Sequence, residues 1–357
     1  MTKLLLESSS HNSIASNYNE HATAHEILRQ HYEGKKIPAK TAENMKTHSD
    51  LMAHHAKLLH DAVGAETASK ELADQHGRGK VAAANVLEHR GKLGHKSPIT
   101  HVAHTGGTGI TAYGDTKQSN PSDIVIHHTN GKHLGVSLKS SRDGQIGFHN
   151  GGFKTVAAEA GAKKVGEDAE AHRAQESEKH FPGHSVKDAS AKVKAIRKAV
   201  AAGTATPKEK KLHEGIQKSA DEVKDKATAS LAAHYNKRAE TDHEGLKKHI
   251  QETYLKHNPN NKLDYIKVTG HGVNGKYQAH SENPEDNPMN NAVKNAKKFT
   301  FHKSGSYIHV VAHQPDEKKK HVFSVQTKFN EEKLGSSLKA VGQPSTKGFG
   351  ELPDYKK

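Results

Sequence analysis

The 357-residue sequence contains no cysteine and no tryptophan, and aromatic residues make up only 5% of it. The absence of cysteine excludes disulfides and thiol catalysis, so any metal ion has to be held by oxygen or imidazole ligands. No apolar run approaches the roughly 20 residues that a membrane-spanning helix needs, and the apolar triplet at residues 4–6 is too short for a signal peptide. Because only 32% of the residues are hydrophobic, we expect a soluble protein with one modest core and extended helical additions.

Positive charge is the strongest compositional feature. Lysine and arginine number 54 against 40 aspartates and glutamates, which gives a formal net charge of +14. Such an excess creates a positive potential over the surface and favours association with a polyanion. The sequence therefore predicts a polyanionic partner.

The sequence also holds 31 histidines. His21 and His25 stand four residues apart, as neighbours on one helix face do, and His101 and His104 stand three apart. Neither pair has the nearby acid or third histidine of zinc motifs such as His-Glu-x-x-His. We therefore interpret most histidines as exposed residues on polar helix faces, whose protonation below about pH 6.5 strengthens polyanion binding.

Helical periodicity covers the first 93 residues and a long block in the middle of the chain. The first part predicts helices at 13–33, 39–63 and 65–93, the first two forming an antiparallel hairpin around Gly-Lys-Lys-Ile-Pro at 34–38. The middle block is rich in Ala, Lys and Glu and predicts three further helices. These lie at 155–178, 185–202 and 207–256, the last opened by Pro207.

Strand signals, in which apolar and polar residues alternate, lie on both sides of this block. Downstream they cover 263–269, 298–302, 307–312 and 321–329, with a hairpin turn at 303–306. Upstream, Asp123-Ile-Val-Ile and Leu134-Gly-Val-Ser-Leu flank Asn130-Gly131, the pair that type I′ hairpin turns favour. Because side chains alternate between the two faces of a strand, Asp123 is expected to lie across from Ser137 and Lys139.

The hairpin residues resemble the motif of the PD-(D/E)XK nucleases, the restriction-endonuclease-like superfamily. That motif has an Asp after a Pro and an acid-x-Lys on the next strand, and here Pro121-Ser122-Asp123 is followed by Ser137-Leu138-Lys139. Two departures are present: one residue separates the Pro from the Asp, and Ser137 replaces the second carboxylate. Glu88, in a helix-like run, is placed like the helical acid of many members.

This resemblance implies an α/β (α+β) fold, in which a restriction-endonuclease-like mixed sheet flanked by helices carries the hairpin and the late strands together. The expected organisation is an N-terminal helical hairpin, a first part of the nuclease core, a helical insertion, a second part of the core and a polar, disordered tail. These segments span 1–64, 65–155, 156–257, 258–346 and 347–357.

The resemblance also implies a DNA endonuclease that uses Mg²⁺, or Mn²⁺, to hydrolyse phosphodiesters. Asp123 is expected to be the principal metal ligand, Glu88 a direct or water-mediated one, and the backbone carbonyl of Leu138 a neutral one. Lys139 then orients the attacking water and stabilises the charge of the transition state. Ser137 offers only a hydroxyl, to metal-bound water.

Four further residues are expected to contact DNA. They are Gln145 and Asn150, from the polar loop after the hairpin, and Lys328 and Lys339, from the late strand and basic loop. The enzyme is expected in the cytoplasm of a bacterial host or packaged in a phage virion, with no membrane association. The helical insertion is a DNA clamp, a dimer arm that makes a homo-oligomer, or a docking surface for other proteins, and the sequence leaves these open.

A second interpretation keeps the nuclease fold without catalysis, as a DNA-binding structural protein such as a phage virion component. Ser137 favours this interpretation because it removes a charged metal ligand, whereas Asp123, Lys139 and Glu88 favour the enzyme. A third, a purely helical polyanion-binding scaffold, is opposed by the strand-rich segments 121–140 and 263–329.

Overall fold

The computed structural model of the protein describes residues 11–106, 109–115, 120–142, 149–255, 261–282, 287–330, 334, 336–345 and 352–355. The chain divides into two compact units, each made of two stretches of sequence. The first unit holds Met1–Ile146 and Lys256–Asn287, and the second holds Gly147–Leu255 and Pro288–Lys357. Each contains one five-stranded sheet together with helices, so the predicted mixture of helices and sheet is confirmed.

The described residues form helices and strands with the following bounds. The helices are α1 (His11–His31), α2 (Ala39–Val63), α3 (Ala65–Lys92), α4 (Phe153–Glu159), α5 (Lys163–His180), α6 (Val186–Ala201), α7 (Pro207–Thr241), α8 (His243–His249) and α9 (Pro288–Asn295). The strands are β1 (Ile99–His104), β2 (Ile124–His128), β3 (His133–Ser141), β4 (His149–Gly152), β5 (Tyr265–Val273), β6 (Lys276–Glu282), β7 (Lys298–Ser304), β8 (Tyr307–His313), β9 (Lys319–Phe329) and β10 (Leu338–Pro344). A short 3₁₀ helix at Gly109–Tyr113 and a π-helical turn at Ile250–Tyr254 complete the set.

The first unit has a mixed sheet of strand order β1-β2-β3-β5-β6. The predicted hairpin is present as β2 and β3, which pair antiparallel with Ile124 opposite Val136. Gly131 in its turn adopts φ +77°, a left-handed conformation that glycine reaches without strain. β3 then pairs in parallel with β5, and β5 turns back into β6 through Asn274 and Gly275, which are both left-handed.

Helices α1 and α3 cover one face of this sheet. Small and aliphatic side chains of the two helices meet the inward side chains of β1, β2, β3 and β5, a set that includes Ile27, Val86, Ile124, Val136, Leu138, Ile266 and Val268. Because successive strand residues point to opposite faces, the neighbours of these residues lie on the other face. That face, hereafter the polar face, carries Asp123, Ser137, Lys139, Lys267 and Thr269.

Helix α2 protects the edge strand β1. Thr41 Oγ1 donates to the carbonyl of Thr100 at 2.8 Å, and the Asn44 amide exchanges hydrogen bonds with both the N–H (2.9 Å) and the carbonyl (3.2 Å) of Val102. His48 Nε2 reaches the same carbonyl at 2.9 Å. These side chains satisfy backbone groups that an edge strand would otherwise leave exposed to pairing with another chain.

The second unit has an antiparallel sheet of strand order β4-β10-β9-β8-β7. Its core joins α4–α9 to the apolar side of this sheet, with Phe153, Tyr235, Tyr254, Phe299 and Phe323 as its large buried side chains. The predicted start of α7 at Pro207 is confirmed, since Thr206 and Glu209 form a reciprocal capping box there. The predicted helix over 155–178 is divided at Gly161 (φ +79°), and the one over 207–256 at Asp242, which caps α8.

The expectation that the hairpin and all the late strands share one sheet is wrong. β5 does join the hairpin, but β7–β10 form a separate sheet with β4. β6, which the strand signals missed, pairs with β5 along its length and takes the place beside β5 that a later strand would have filled. The helical block of α4–α8 therefore belongs to the same unit as β7–β10.

Two smaller expectations also need correction. Part of the tail is ordered, because Leu352 is buried and Asp354 pairs with Lys320 of β9. Histidines are not mainly exposed: His21, His48, His95, His128 and His249 are buried. A neutral imidazole tolerates burial when its nitrogens find partners, as His48 does with the Val102 carbonyl at 2.9 Å and with His21 Nδ1 at 3.1 Å. None of the described helices has the length and apolar character needed to cross a membrane.

Candidate active site on the polar face of the first sheet

The hairpin brings Asp123 and Lys139 together, as its alternation predicted. Asp123 Oδ2 accepts a hydrogen bond from the backbone N–H of Leu138 at 2.7 Å and lies 3.7 Å from Lys139 Nζ. The Asp123 side chain is 13% exposed and that of Lys139 is 41% exposed. The pair therefore combines a largely shielded carboxylate with an ammonium group that remains accessible to a ligand.

The backbone explains why the carboxylate is held there. β2 begins at Ile124, which pairs with Val136, whereas β3 continues to Ser141. Leu138 therefore has no residue of β2 opposite it. Asp123 supplies the missing acceptor with its side chain. Because the N–H and the carbonyl of one strand residue point to the same edge of the strand, the carbonyl of Leu138 also lies on the Asp123 side.

A buried polar network fixes the loop in front of Asp123. Asn120 Nδ2 donates to Asp115 Oδ2 at 2.9 Å and to the carbonyl of Leu263 at 3.0 Å, while its Oδ1 accepts from Ser122 Oγ at 2.6 Å. Asp115 also accepts from the backbone N–H of Lys262 at 2.8 Å and of Leu263 at 3.2 Å. The network thus ties the approach to β2 to the approach to β5.

Sequence reasoning did not identify this network. Its local signal is Asn120 directly before Pro121, because such a dipeptide favours a turn. Gly135 on β3 takes part as well, since a Cβ at that position would overlap Ser122 Oγ. The two hydrogen-bond acceptors of the Asn120 amide could not be predicted from this dipeptide. Asp115 lies outside it, and Leu263 is far away in the sequence.

Strand β5 adds two residues that the sequence did not single out. Lys267 lies beside Ser137 and Thr269 beside Lys139 in the parallel register. Lys267, Ser137 and Thr269 are all buried, Ser137 to 1% exposure. A lysine in an alternating strand is expected on a solvated face, so only the pairing with β3 reveals that Lys267 adds a second cation to this row of side chains.

Glu88 is not brought to this site. It lies on α3 two residues beyond Val86, which packs against the sheet, and residues two apart on a helix point in nearly opposite directions. Its side chain is 61% exposed and pairs with Lys92 at 2.6 Å, a hydrogen bond that lowers the pKa of Glu88. Glu88 therefore does not act as a direct or water-mediated metal ligand beside Asp123.

Three of the four residues expected to contact DNA lie among the residues that the structure describes. Gln145 lies outside the described residues. Lys328 and Lys339 are paired neighbours on β9 and β10 of the second unit, and Asn150 on β4 pairs with Val341, two residues from Lys339. Those three residues therefore share one face of the second sheet, which does not include the strands that hold Asp123.

The donors near Asp123 fit Mg²⁺ or Mn²⁺ in kind. The Asp123 carboxylate, the Leu138 carbonyl and the Ser137 hydroxyl are hard oxygen ligands, and Mg²⁺ commonly uses one or two carboxylates with water and substrate phosphate in the remaining positions. Among the residues that the structure describes, no group of three or more histidines and acids is arranged to hold a metal ion. Within that part of the chain, Asp123 is the carboxylate that this site offers.

Chemically, the arrangement offers a group of oxygen ligands with the Lys139 ammonium 3.7 Å from the carboxylate, and a second, buried lysine, Lys267, beside Ser137. Such a combination suits the binding of a phosphodiester, because the lysines balance the phosphate charge and the carboxylate can hold a divalent ion. No protein-family model, no curated protein and no solved structure matches the chain.

Proposed function

We propose that the chain is a metal-dependent DNA endonuclease whose reaction centre is the Asp123–Lys139 pair. The observation that carries this proposal is the 3.7 Å separation between the carboxylate and the ammonium group at the ends of two paired strands. A carboxylate that can hold a hard cation and a lysine that can face a phosphate are the two groups that phosphodiester hydrolysis needs most.

Each residue of the pair has a separate role in this proposal. The ion, held by Asp123 with the carbonyl of Leu138 beside it, supplies charge neutralisation at the phosphate when bound. Lys139 orients the attacking water and stabilises the negative charge that builds up on the phosphate oxygens. Ser137, which is buried, offers a hydroxyl hydrogen bond, and Lys267 beside it contributes positive potential from within the sheet.

DNA as the substrate is supported by charge. The chain carries a formal net charge of +14, and Lys328 and Lys339 are half-buried neighbours on the second sheet with the exposed Asn150 on the same face. Lysines placed side by side suit adjacent phosphates of a nucleic-acid backbone, while amide side chains add hydrogen bonds to phosphates or base edges.

A second candidate is a DNA-binding structural protein without catalysis, such as a component of a phage particle. It is favoured by the neutral, buried Ser137 in the position of the second acid and by Glu88, which points away from the sheet. With one described carboxylate at the site, metal affinity would rest largely on Asp123 and on the substrate itself.

One set of variants separates the two candidates. Purified protein is incubated with supercoiled plasmid and with Mg²⁺ or Mn²⁺, and nicked and linear products are followed by gel electrophoresis. We expect the unmodified protein to cut, and Asp123→Asn and Lys139→Gln to lose cutting while still binding DNA at low salt. Asp264→Asn and Lys132→Gln are the matched controls, because both replace exposed charges near the hairpin.

The enzyme proposal fails if the unmodified protein cuts no form of DNA with either ion. It also fails if the Asp123 and Lys139 variants cut as fast as the controls. Salt-sensitive DNA binding without cutting would leave the structural candidate standing, and the absence of DNA binding would exclude both.

A further inference from the structure

Four histidines of the first unit meet where α1, α2 and β1 pack together. His21 lies on α1, His48 and His55 lie two turns apart on α2, and His104 ends β1. The ring of His21 is 4.5 Å from that of His104, 5.4 Å from that of His48 and 5.5 Å from that of His55, measured between centroids. These four residues are called the histidine cluster.

Two residues of the histidine cluster are shielded from water, whereas the His104 side chain is 25% exposed. His21 and His48 are each 3% exposed, and His55 Nδ1 is buried without a hydrogen-bond partner among the described residues. Burial, followed by repulsion from the other three rings, lowers the pKa of His21 to about 3. Burial also lowers the pKa of His48 and of His55. Burial thus favours the neutral form of His21, His48 and His55, which is the form of imidazole that binds metal ions.

The hydrogen bonds at the rim of the cluster determine which ring nitrogens keep a lone pair. His48 Nε2 faces the carbonyl of Val102 at 2.9 Å and must donate to it, so His48 Nδ1 is an acceptor. His104 Nε2 lies 2.6 Å from Glu20 Oε2 and donates to that carboxylate, so in the neutral ring the lone pair is on His104 Nδ1. Histidines that bind metals usually donate their other nitrogen to a carbonyl or carboxylate in this way.

The spacing of the rings points in the same direction. His21 Nδ1 and His48 Nδ1 are 3.1 Å apart and share a hydrogen bond. Two imidazole nitrogens bound at ~2.0–2.1 Å to one tetrahedral zinc ion lie roughly 3.3–3.4 Å apart. The two rings are thus within a few tenths of an ångström of the separation that a shared ion requires.

We propose that His21, His48 and His104, with His55 beside them, bind one divalent transition-metal ion of the zinc type. As the side chains stand, the described residues contain no group of three or more donors already arranged around an ion. Binding therefore replaces the His21–His48 hydrogen bond, and the proton that His21 Nδ1 donates in that bond moves to Nε2, which leaves a lone pair on Nδ1 for the ion. Imidazole ligands select zinc, cobalt, nickel or copper over Mg²⁺, so this site is chemically distinct from the one at Asp123.

The bound ion would fasten α2 to the rest of the unit. This 25-residue helix buries only Thr41, His48 and Leu59 among its described side chains, so its apolar anchorage is small. An ion shared by α1, α2 and β1 adds a crosslink where the core adds little. It also steadies the end of β1, where the N–H of Thr105 donates to the carbonyl of Asp123 at 3.0 Å.

The test uses the full chain stripped of metal with a chelator and titrated with Co²⁺, whose visible absorption becomes strong when it leaves water for a tetrahedral nitrogen site. We expect one equivalent of Co²⁺ to produce this band and Zn²⁺ to remove it by competition. His48→Gln and His104→Gln should each abolish the band. Glu20→Gln keeps all the proposed ligands but loses the outer partner of His104, so affinity should fall by about 10–100-fold.

The control has to allow for the many other histidines of the chain. His127→Gln with His133→Gln removes two rings that meet edge to face, with centroids 4.4 Å apart, elsewhere in the same sheet, and this variant should keep the band at full strength. The circular dichroism spectrum and thermal unfolding of each metal-free variant establish that it is folded. In the folded unmodified protein, Zn²⁺ should raise the unfolding temperature.

Three results would overturn the proposal. The first is the absence of the band in the unmodified protein, and the second is a band that the His127 and His133 control loses as readily as the cluster variants do. The third is an unchanged affinity for Co²⁺ in Glu20→Gln. Because the Glu20 side chain is partly exposed, this variant tests the site even if His48→Gln does not fold.

Discussion

The backbone N–H of Leu138 donates its hydrogen bond to the side chain of Asp123, 2.7 Å away, rather than to a neighbouring strand. This bond fixes the carboxylate at the point where β3 extends past β2, and it sets the 3.7 Å distance to Lys139 Nζ. Asp123 thus has a structural hydrogen bond and a proposed catalytic role, and suitable substitutions can test the two separately.

Asp123→Asn and Asp123→Ala make that separation. Asparagine keeps an acceptor for the Leu138 N–H but removes the charge, so we expect a loss of unfolding free energy below about 1 kcal/mol, whereas alanine should cost about 1–3 kcal/mol. Both should eliminate metal-dependent cutting. Urea unfolding and plasmid cleavage measure the two effects, and equal stability of the two variants would show that the hydrogen bond is not the structural contribution of Asp123.

Glu88→Gln tests the placement of Glu88 on the outer side of α3. Because its side chain is 61% exposed and pairs only across the surface with Lys92, we expect an unchanged cleavage rate and a change in stability within about 0.5 kcal/mol. The measurement is a time course of plasmid cleavage with Mg²⁺ beside that of the unmodified protein. A rate loss as large as that of Asp123→Asn would mean that Glu88 does reach the reaction centre.

Asp115→Ala tests the buried network that holds the loop before Asp123. Asp115 accepts from the N–H groups of Lys262 and Leu263 and from the Asn120 amide. Its removal leaves the two backbone N–H groups without this acceptor, while the Asn120 amide keeps its bond to the Leu263 carbonyl. We expect a loss of about 2–4 kcal/mol in unfolding free energy, since each buried unsatisfied group costs about 1–3 kcal/mol before relaxation. Asp264→Ala, whose side chain is 84% exposed, is the control and should change stability little.

Acid should destabilise the protein through its buried histidines. The pKa of His21 falls to about 3 in the folded protein because of burial and the three neighbouring rings, while in the unfolded chain it is about 6.5. On acidification the unfolded state therefore takes up the His21 proton at a higher pH than the folded state does. The free energy of unfolding is at its full value above pH 6.5 and decreases as the pH falls toward 3. At pH 5 the loss from His21 alone is about 2 kcal/mol.

Thermal unfolding between pH 7.5 and pH 5 measures this dependence, in the absence of added metal. In His21→Asn the group that titrates is gone, so the slope of stability against pH below 6.5 should be shallower than in the unmodified protein. Identical slopes would show that His21 does not stay neutral in the folded state.

DNA binding should weaken steeply with salt. Each lysine that neutralises a phosphate releases a counterion, so affinity falls as salt rises. The pair of variants Lys328→Gln and Lys339→Gln should each weaken binding about equally for all sequences and reduce the slope of log K against log salt by about 1. Lys57→Gln, an exposed position on α2, is the control, and filter binding at several salt concentrations is the measurement. Binding that is flat with salt would contradict the DNA-binding proposal.

Features carried by neighbouring residues were predictable from the sequence. Asn130-Gly131 predicted the position of the β2–β3 turn, but the predicted type I′ turn is wrong, because Gly131 is left-handed and Asn130 is not. That turn sets the register that places Asp123 across from Ser137 and beside Lys139. In the same way Pro207, behind Thr206 and followed by Glu209, marked the start of α7. A second Asn-Gly pair, at 274–275, carries the same signal for the β5–β6 hairpin, which the strand analysis missed.

The sequence by itself thus determined the local elements, the hairpin and the charge of the molecule, because turn chemistry, periodicity and composition act over a few residues. Only the tertiary structure decided that β5 lies beside β3 while β7–β10 form another sheet, and that Glu88 faces away from Asp123. It also gathered His21, His48, His55 and His104 from three separate elements. The packing of whole helix and strand faces determines such contacts. It brings together residues that are far apart in the chain, so no local sequence pattern predicts them.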